Sequence, residues 1–448
     1  MAKGYLYLGE SGRAREYLAD FIDDTAENHI LKDQAKDLLG RLESLSTVEP
    51  QTIGLLLPLT GRFSRFGRQC MSATFMALGA YNDSPAADNK YKNFKFAIRD
   101  SGDSIESALD GFNKLVLEDH VIGVIGPLLS KQFPAVAQKA QEYGTPLLSL
   151  SQRKGGFQEG AYVFPLALSP DQQVALVVEY AMEKRGYKRF AILAPNDSFG
   201  EEYANLFWDA VENHNGKIVG YEKYTPKTTD FRDEARRLLG LNYLEARSLE
   251  LEDLKRRADQ YASNIKVKGR MRQRLLDAFD PKGIADFDAL FIPDDPQTIG
   301  QIAPALAVED VTNVPFLGIN TWNSPEIIQR AGRYLQNSIF VDAFFAQSKN
   351  PVTSKFSKDY NALFNTNPGS LEVQSFDAAN LLLRALNSQE ISTRGELRTA
   401  LTNLGIYSGI SGDFNISSAG VKRTARLLTI KGNQIVEIPY APTLKPGT

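Results

Sequence analysis

At 448 residues the chain exceeds one ordinary hydrophobic core, so two or three domains are expected. Hydrophobic residues at 43% and charged residues at 23% fit a globular protein and exclude wholesale disorder. A net charge of −3 makes no global electrostatic case for nucleic acid or an anionic membrane surface, and the single cysteine, Cys70, excludes an internal disulfide or a multi-cysteine metal site.

Residues 3–45 read as helix throughout. Leu6, Ala14, Tyr17, Leu18, Phe21 and Ile22 recur at helical spacing, then Ala35, Leu38, Leu39 and Leu42 after the link TAENH. A terminal tetratricopeptide-like unit and a plain helical linker both fit residues 1–48. The start MAKGYLYL lacks the basic and apolar regions of a secretion signal, and the chain is expected to begin inside a helical array. No apolar run approaches the roughly 20 residues that span a bilayer.

From Gln51 the pattern alternates strand and helix. IGLLLPL (53–59) is short and dense enough for a strand buried on both faces. A helix through Met71, Ala73, Phe75, Met76 and Leu78 follows. Then come strand FKFAIRD (94–100), helix IESALDGFNKLVLED, strand VIGVIG (121–126), helix SKQFPAVAQKAQEYG and strand TPLLSLS (145–151). Such alternation implies βαβ crossovers and an open parallel sheet covered by helices. The rhythm restarts with helix DQQVALVVEYAMEKRG. Strands FAILAP (190–195), IVGYEKY (218–224), ADFDALFIPDD (285–295) and VPFLGIN (314–320) complete a second set. The fold class is α/β: two Rossmann-like lobes with parallel sheets around a central cleft, preceded by a short helical segment. Residues 244–279 break the rhythm. Their mixed charge and helical preference fit a solvated insertion, with a partner-docking arm as the functional alternative.

Ligands of open α/β sheets bind beyond the carboxyl ends of the strands. PLTGRFSRFG (58–67), GPLLSKQ (126–132) and LSLSQRKGG (148–156) occupy those positions in the first half; PNDSFG (195–200), IPDDPQ (292–297) and INTWN (319–323) do so in the second. Singly, their serines and aspartates read as helix caps. Six together point to an inter-lobe ligand site that closes by hinge motion. Nothing supports catalysis, a cofactor or a metal: His29, His120 and His214 are scattered, and no serine elbow, phosphate loop or dinucleotide fingerprint is present. Cys70 reads as a small core residue.

PLTGRFSRFGRQCMSA, VIGVIGPLLS, TPLLSLS, RFAILAPNDSFGEEYA and GISGDFNISSAGVKRTARLLTIKGNQIVEI resemble the type I periplasmic-binding fold of the leucine/isoleucine/valine-binding proteins, over roughly residues 51–440. The helical prefix and charged insertion resemble the penicillin-binding-protein activator lipoprotein branch. The resemblance implies a first lobe of 51–166 with 345–412 and a second of 167–344 with 413–440, the chain crossing near 165–169, 343–347 and 411–415. It implies that a ligand α-carboxylate meets Ser130, Ser151 and Gln152, that Phe66 and Phe199 wall the cleft, and that second-lobe contacts fall near Asp295 and Trp322. The acidic residue that usually receives the α-amino group is replaced around Thr321 and Trp322, where Asp294 or Asp295 would have to supply the charge. Two functions follow. One is extracytoplasmic capture of an amino acid or similar molecule for an ABC-type permease. The alternative is a lipoprotein-type regulator that activates a peptidoglycan synthase by protein contacts. Either places the protein in the periplasm or on the outer face of a bacterial membrane, tethered only by a lipid anchor that this chain does not contain. No nucleic-acid partner is expected.

Overall fold

A strand that is apolar and buried on both faces needs cover on both, and β1 (Glu49–Leu57), apolar from Ile53 onward, shows how the fold supplies it. Ile53, Leu55 and Leu57 join one buried cluster, with Cys70 of the helix Ser64–Ala77 and the apolar residues of Ser370–Ser388. Leu56, pointing the other way, joins a second cluster with the helices Ile105–Leu117 and Phe133–Tyr143. Side chains alternating with a period of two therefore feed two separate cores from one sheet.

In a computed structural model, residues 1–2, 5, 11–26, 29–81, 91–153, 161–242, 248–263, 273–274, 285–309, 311 and 314–440 are described. Leu6, residues 154–156 and half of the 244–279 insertion lie outside them; within the insertion, Ser248–Ser263 is helix.

The first of two compact units comprises Met1–Ser169 and Lys349–Thr424. Its sheet is wholly parallel, in the order β2 (Lys95–Asp100), β1, β3 (Val121–Ile125), β4 (Leu147–Ser149), β5 (Val163–Pro165). The helices Ser11–Asp24 and Lys32–Ser46 pack on each other through Ala14, Leu18, Ala35 and Leu42. They are tied to the sheet by Arg394. Its buried guanidinium donates to the carbonyls of Leu45 (2.7 Å), Val121 (2.9 Å) and Val116 (3.1 Å). Burial beside carbonyls alone lowers the Arg394 pKa to about 10.

A small antiparallel sheet, β11 (Ile406–Gly409), β12 (Gly412–Ser417) and β13 (Gly420–Arg423), belongs to this unit as well. Residues 413–424, assigned above to the second lobe, therefore stay with the first unit: a boundary at 412 would separate β11 from the strands that satisfy its backbone. Asp377, fully enclosed, holds the β11–β12 turn. Its carboxylate accepts from the backbone N–H of Ile410 and Ser411, both at 2.8 Å, and from the Ser411 hydroxyl at 2.6 Å. Gly409 is needed here, since a Cβ would stand 2.8 Å from the Asp377 carboxylate. Desolvation raises the Asp377 pKa, with those bonds pulling against it.

The second unit comprises Pro170–Ser348 and Ala425–Ala441. Its parallel sheet has the order β7 (Lys217–Tyr224), β6 (Arg189–Pro195), β8 (Ala289–Phe291), β9 (Phe316–Leu317). Phe207 of the helix Ser198–Asn213 stacks on Phe291 with centroids 4.2 Å apart and planes at 3°, fixing helix against sheet. An antiparallel sheet of β10 (Phe340–Asp342), β14 (Arg426–Lys431) and β15 (Gln434–Glu437) completes the unit. Glu437 pins it, paired with Arg426 at 2.6 Å and accepting from Ser348 at 2.6 Å.

Replacing Asp377 with Ala strands three enclosed donors, so the first unit should lose about 3 kcal/mol. Urea unfolding should show the midpoint fall with little change in slope, whereas Ser411→Ala, which removes one donor and leaves the backbone bonds, should cost about 1 kcal/mol.

Candidate functional site

The loops at the carboxyl end of each parallel sheet are the candidate site, and each unit builds its own set. In the first unit the loop after β1 is organised by Asp100 at the end of β2. Its Oδ1 accepts from the N–H of Leu59 (2.7 Å) and Gly102 (2.8 Å), and its Oδ2 from the Thr60 hydroxyl. Burial works against the ionised form, but the bonds from Thr60, Gly102 and Leu59 outweigh it and hold the carboxyl below the usual range. Gln132, completely buried, joins the loop after β3 to the loop after β2: its Nε2 donates to the carbonyls of Ser101 (2.9 Å), Gly102 (3.0 Å) and Ser104 (2.9 Å). Sequence reasoning missed both residues. Asp100 at the end of a strand was the available signal; nothing local to Gln132 indicates its burial.

Ser130 is exposed and lies in the turn before Phe133–Tyr143, not at the helix start, where Gln132 holds the cap position. Ser151 is buried, and its hydroxyl donates to Ser130 Oγ at 3.3 Å while accepting from the Arg153 N–H at 3.2 Å. The structure thus brings Ser130 and Ser151 together across neighbouring loops. Gln152 is half-buried beside them in sequence. Phe66 stands in the first turn of Ser64–Ala77 with 43% of its surface exposed. Cys70, one turn on, is sealed in the core, and burial pushes its thiol up to about 12, which keeps it protonated and unreactive.

The second unit repeats one device of the first. After β1, Gly67 presses so close to Pro58 that a Cβ would fall 2.0 Å from the Pro58 carbonyl oxygen; after β6, Gly200 stands in the same relation to Pro195, again at 2.0 Å. In both loops the residue before that glycine is an exposed phenylalanine, Phe66 or Phe199, the latter 41% exposed and 4.9 Å from the Tyr203 ring. The glycine lets the first helical turn fold back on the strand end, and this holds the ring at the rim. Asp197 caps the second of these helices, accepting from the Gly200 N–H at 2.9 Å.

After β8, Asp294 is half-buried and heavily engaged. Tyr224 donates its hydroxyl to Asp294 Oδ2, and the Asp295 N–H donates to Oδ1 at 2.7 Å. The Asp294 carbonyl accepts from the Thr321 hydroxyl (2.7 Å) and from Trp322 Nε1 (3.2 Å). Asp294, Asp295, Thr321 and Trp322 are therefore brought together, but in different roles from one another. Asp295 is the N-cap of Pro296–Val308, accepting from the Thr298 N–H at 2.9 Å. Trp322 is wholly buried against Gly318 and Phe340, so its ring is core packing in this unit and not a surface a ligand meets. Tyr224, not anticipated from the sequence, has its pKa pushed up by burial and by Asp294, and remains a donor.

Desolvation raises the Asp294 pKa, and the bond from Tyr224 opposes it. Replacing Tyr224 with Phe should raise it further, read as an upward shift of the Asp294 carboxyl titration in carbon-13 NMR. A folded carboxyl above its unfolded value contributes stability that is full below the unfolded value and is lost as pH rises through the folded value. Tyr224→Phe should deepen that loss toward neutral pH; an unchanged or lower titration point would refute the coupling.

Among the described residues no group of three or more His, Cys, Asp or Glu could hold a metal ion, and no helix is long and apolar enough to cross a membrane. The solved structures that this chain is similar to share its fold. One is an ABC transporter substrate-binding protein from Sphaerobacter thermophilus (TM-score 0.67, 18% identity, 89% of this chain and 98% of that one). Another is the branched-chain amino acid transporter substrate binding protein LivJ from Streptococcus pneumoniae in complex with isoleucine (TM-score 0.60, 19% identity, 89% of this chain and 100% of that one). By sequence the chain is similar to the penicillin-binding protein activator LpoA of Vibrio cholerae, 27% identical over 165 residues. That match covers 37% of this chain and 26% of the relative, about a quarter of its length. The profile of the Periplasmic binding protein family matches residues 50–242 and 284–433, most of the chain, and the chain therefore belongs to that family.

Proposed function

We propose that this chain acts as an activator of a penicillin-binding protein, working through protein contacts on the extracytoplasmic side of a bacterial membrane, and is not a catalyst. The observation that carries the reading is the level at which the likenesses occur. The chain is similar in sequence to an activator, whereas its likeness to transporter substrate-binding proteins, at 18% and 19% identity, is one of fold. The side chains agree. Asp294, one of the two groups that would have to meet an α-amino group, already takes bonds from Tyr224 and Asp295, and burial disfavours its charge; Asp295, the other, caps a helix. Ser151 has its hydroxyl committed to Ser130 and Arg153. The packed helical pair at the start of the first unit adds a surface that solute capture does not need.

Capture of an amino acid or similar molecule for an ABC-type permease is the second reading. Ser130, Ser151 and Gln152 at one sheet's carboxyl end support it, as does the isoleucine named with the LivJ structure. In that case Phe66 in the first unit and Phe199, Asp295 and Thr321 in the second would be further ligand contacts.

Two measurements separate the readings. Biolayer interferometry against the immobilised extracytoplasmic region of a penicillin-binding protein from the same bacterium should show saturable binding, and the chain should raise that synthase's glycan polymerisation rate severalfold. A thermal-shift panel of single amino acids should leave the melting temperature unchanged. Absent synthase binding, together with stabilisation of about 2.7 kcal/mol by one amino acid at a hundred times its Kd, would replace the activator reading with solute capture.

A further inference from the structure

We propose that the carboxyl rim of the first unit's sheet is a docking surface for an acidic protein segment, formed by Arg62, Arg65 and Arg68 after β1, Lys131 after β3 and Arg153 after β4. The inference rests on the activator reading for the identity of the partner, and names the chemistry by which that partner is held.

The five cations are exposed and reach the same end of a parallel sheet from three adjacent strands. Neighbouring strands lie about 4.8 Å apart, so the charges spread over a patch wider than one carboxylate can engage. Among the described residues, the carboxylates nearby do not neutralise it. Asp100 faces inward to its own loop, and Asp103 meets Arg62 only at 4.0 Å. Glu106 feels Lys131 without a salt bridge, and Glu372, whose own charge burial disfavours, feels Arg65 in the same way. Among the described residues Arg65 and Arg153 form no salt bridge. Arg68 is held in place, donating to the Leu59 carbonyl and to Ser64 Oγ, both at 3.3 Å.

Local energetics do not explain Arg65. The first turn of Ser64–Ala77 holds no acid and carries Arg65, against the helix dipole. The turns that begin the helices at Ile105, Ser198, Ser370 and Arg394 carry Glu106, Glu201, Glu372 and Glu396. A charge placed against its local preference, on a rim whose loops Asp100 and Gln132 bond together, is what a functional surface leaves in a sequence. The choice of residue also matters. Arginine with an exposed aromatic is the composition of protein interfaces, and Phe66 stands among the arginines while Arg62 lies over the Phe63 ring at 4.6 Å.

The test uses the full chain and a variant carrying Arg65→Glu, Arg68→Glu and Arg153→Glu, all at exposed positions, with Arg333→Glu on the second unit as a control. Each is titrated with a fluorescent ten-residue oligoglutamate peptide and with the immobilised penicillin-binding protein, at low and at moderate salt. The wild type and the control should bind the peptide, and the synthase if the activator reading holds, with affinity falling as salt rises. The triple variant should bind at least about tenfold more weakly and lose that salt dependence. Lysine at the three positions should retain the salt dependence. Equal binding by wild type and triple variant would overturn the proposal even where the synthase is bound, leaving the activator reading intact. A synthase that binds neither protein, with the peptide still discriminating between them, would sink the activator reading and keep the acidic-segment surface. Binding of citrate or inorganic phosphate without binding of the peptide would make the rim a small-anion site, and the proposal would fall.

Discussion

The demand that a parallel sheet be covered on both faces governs the rest of this molecule. Once Leu55 and Leu57 are committed to one core and Leu56 to another, the strand has no polar face and can end only where its backbone meets new partners. Those ends become the one place where polar side chains can gather. In the first unit Asp100 and Gln132 answer that demand, satisfying the N–H groups of one turn and the carbonyls of the next. Scaffolding of this kind comes before recognition. The loops are tied to one another by these bonds, and whatever they bind meets a surface already in position.

The same pressure explains why two stretches of unlike sequence reach one solution. PLTGRFSRFG and PNDSFG differ in length, yet each brings a glycine onto the carbonyl of a proline at or just beyond the strand end and leaves a phenylalanine outside. Any side chain larger than hydrogen at Gly67 or Gly200 would push the helix off the strand end, and the ring and the charges that follow it would move too. The exposed phenylalanines are thus positioned by sterics at their neighbours more than by contacts of their own.

What could be read in advance follows from how local the cause is. The dense strands β1, β3 and β6 were legible because burial on both faces writes itself as an unbroken apolar run. The helical pair was legible through Ala14, Leu18, Ala35 and Leu42, whose spacing matches the packed stripe. β5 and β10, three residues each, and β11 to β15 left no such trace; their pairing is set by partners far away in the chain, as when β10 joins β14. The site was legible in place and less so in role. Strand-end logic found Asp294, Asp295, Thr321 and Trp322, and the cap reading of such aspartates holds for Asp295, but that Trp322 packs inward depends on Gly318. A side chain's neighbourhood can be inferred from topology; its rotamer and partners cannot.

These considerations bear on how one fold can serve both transport and regulation. Capturing a small zwitterion requires free polar groups at the strand ends and a surrounding surface that does not compete with them. Here the polar groups of the second unit close on themselves through Tyr224, Thr321 and Trp322, and the first unit adds arginines that a single α-carboxylate would not need. Excess like charge at a rim raises the association rate of an acidic partner and penalises basic ones, an effect that scales with the number of charges more than with the fit of any one. The change from capturing a molecule to docking on a surface thus needs no new fold. It needs inner groups that bond to one another and outer groups that do not.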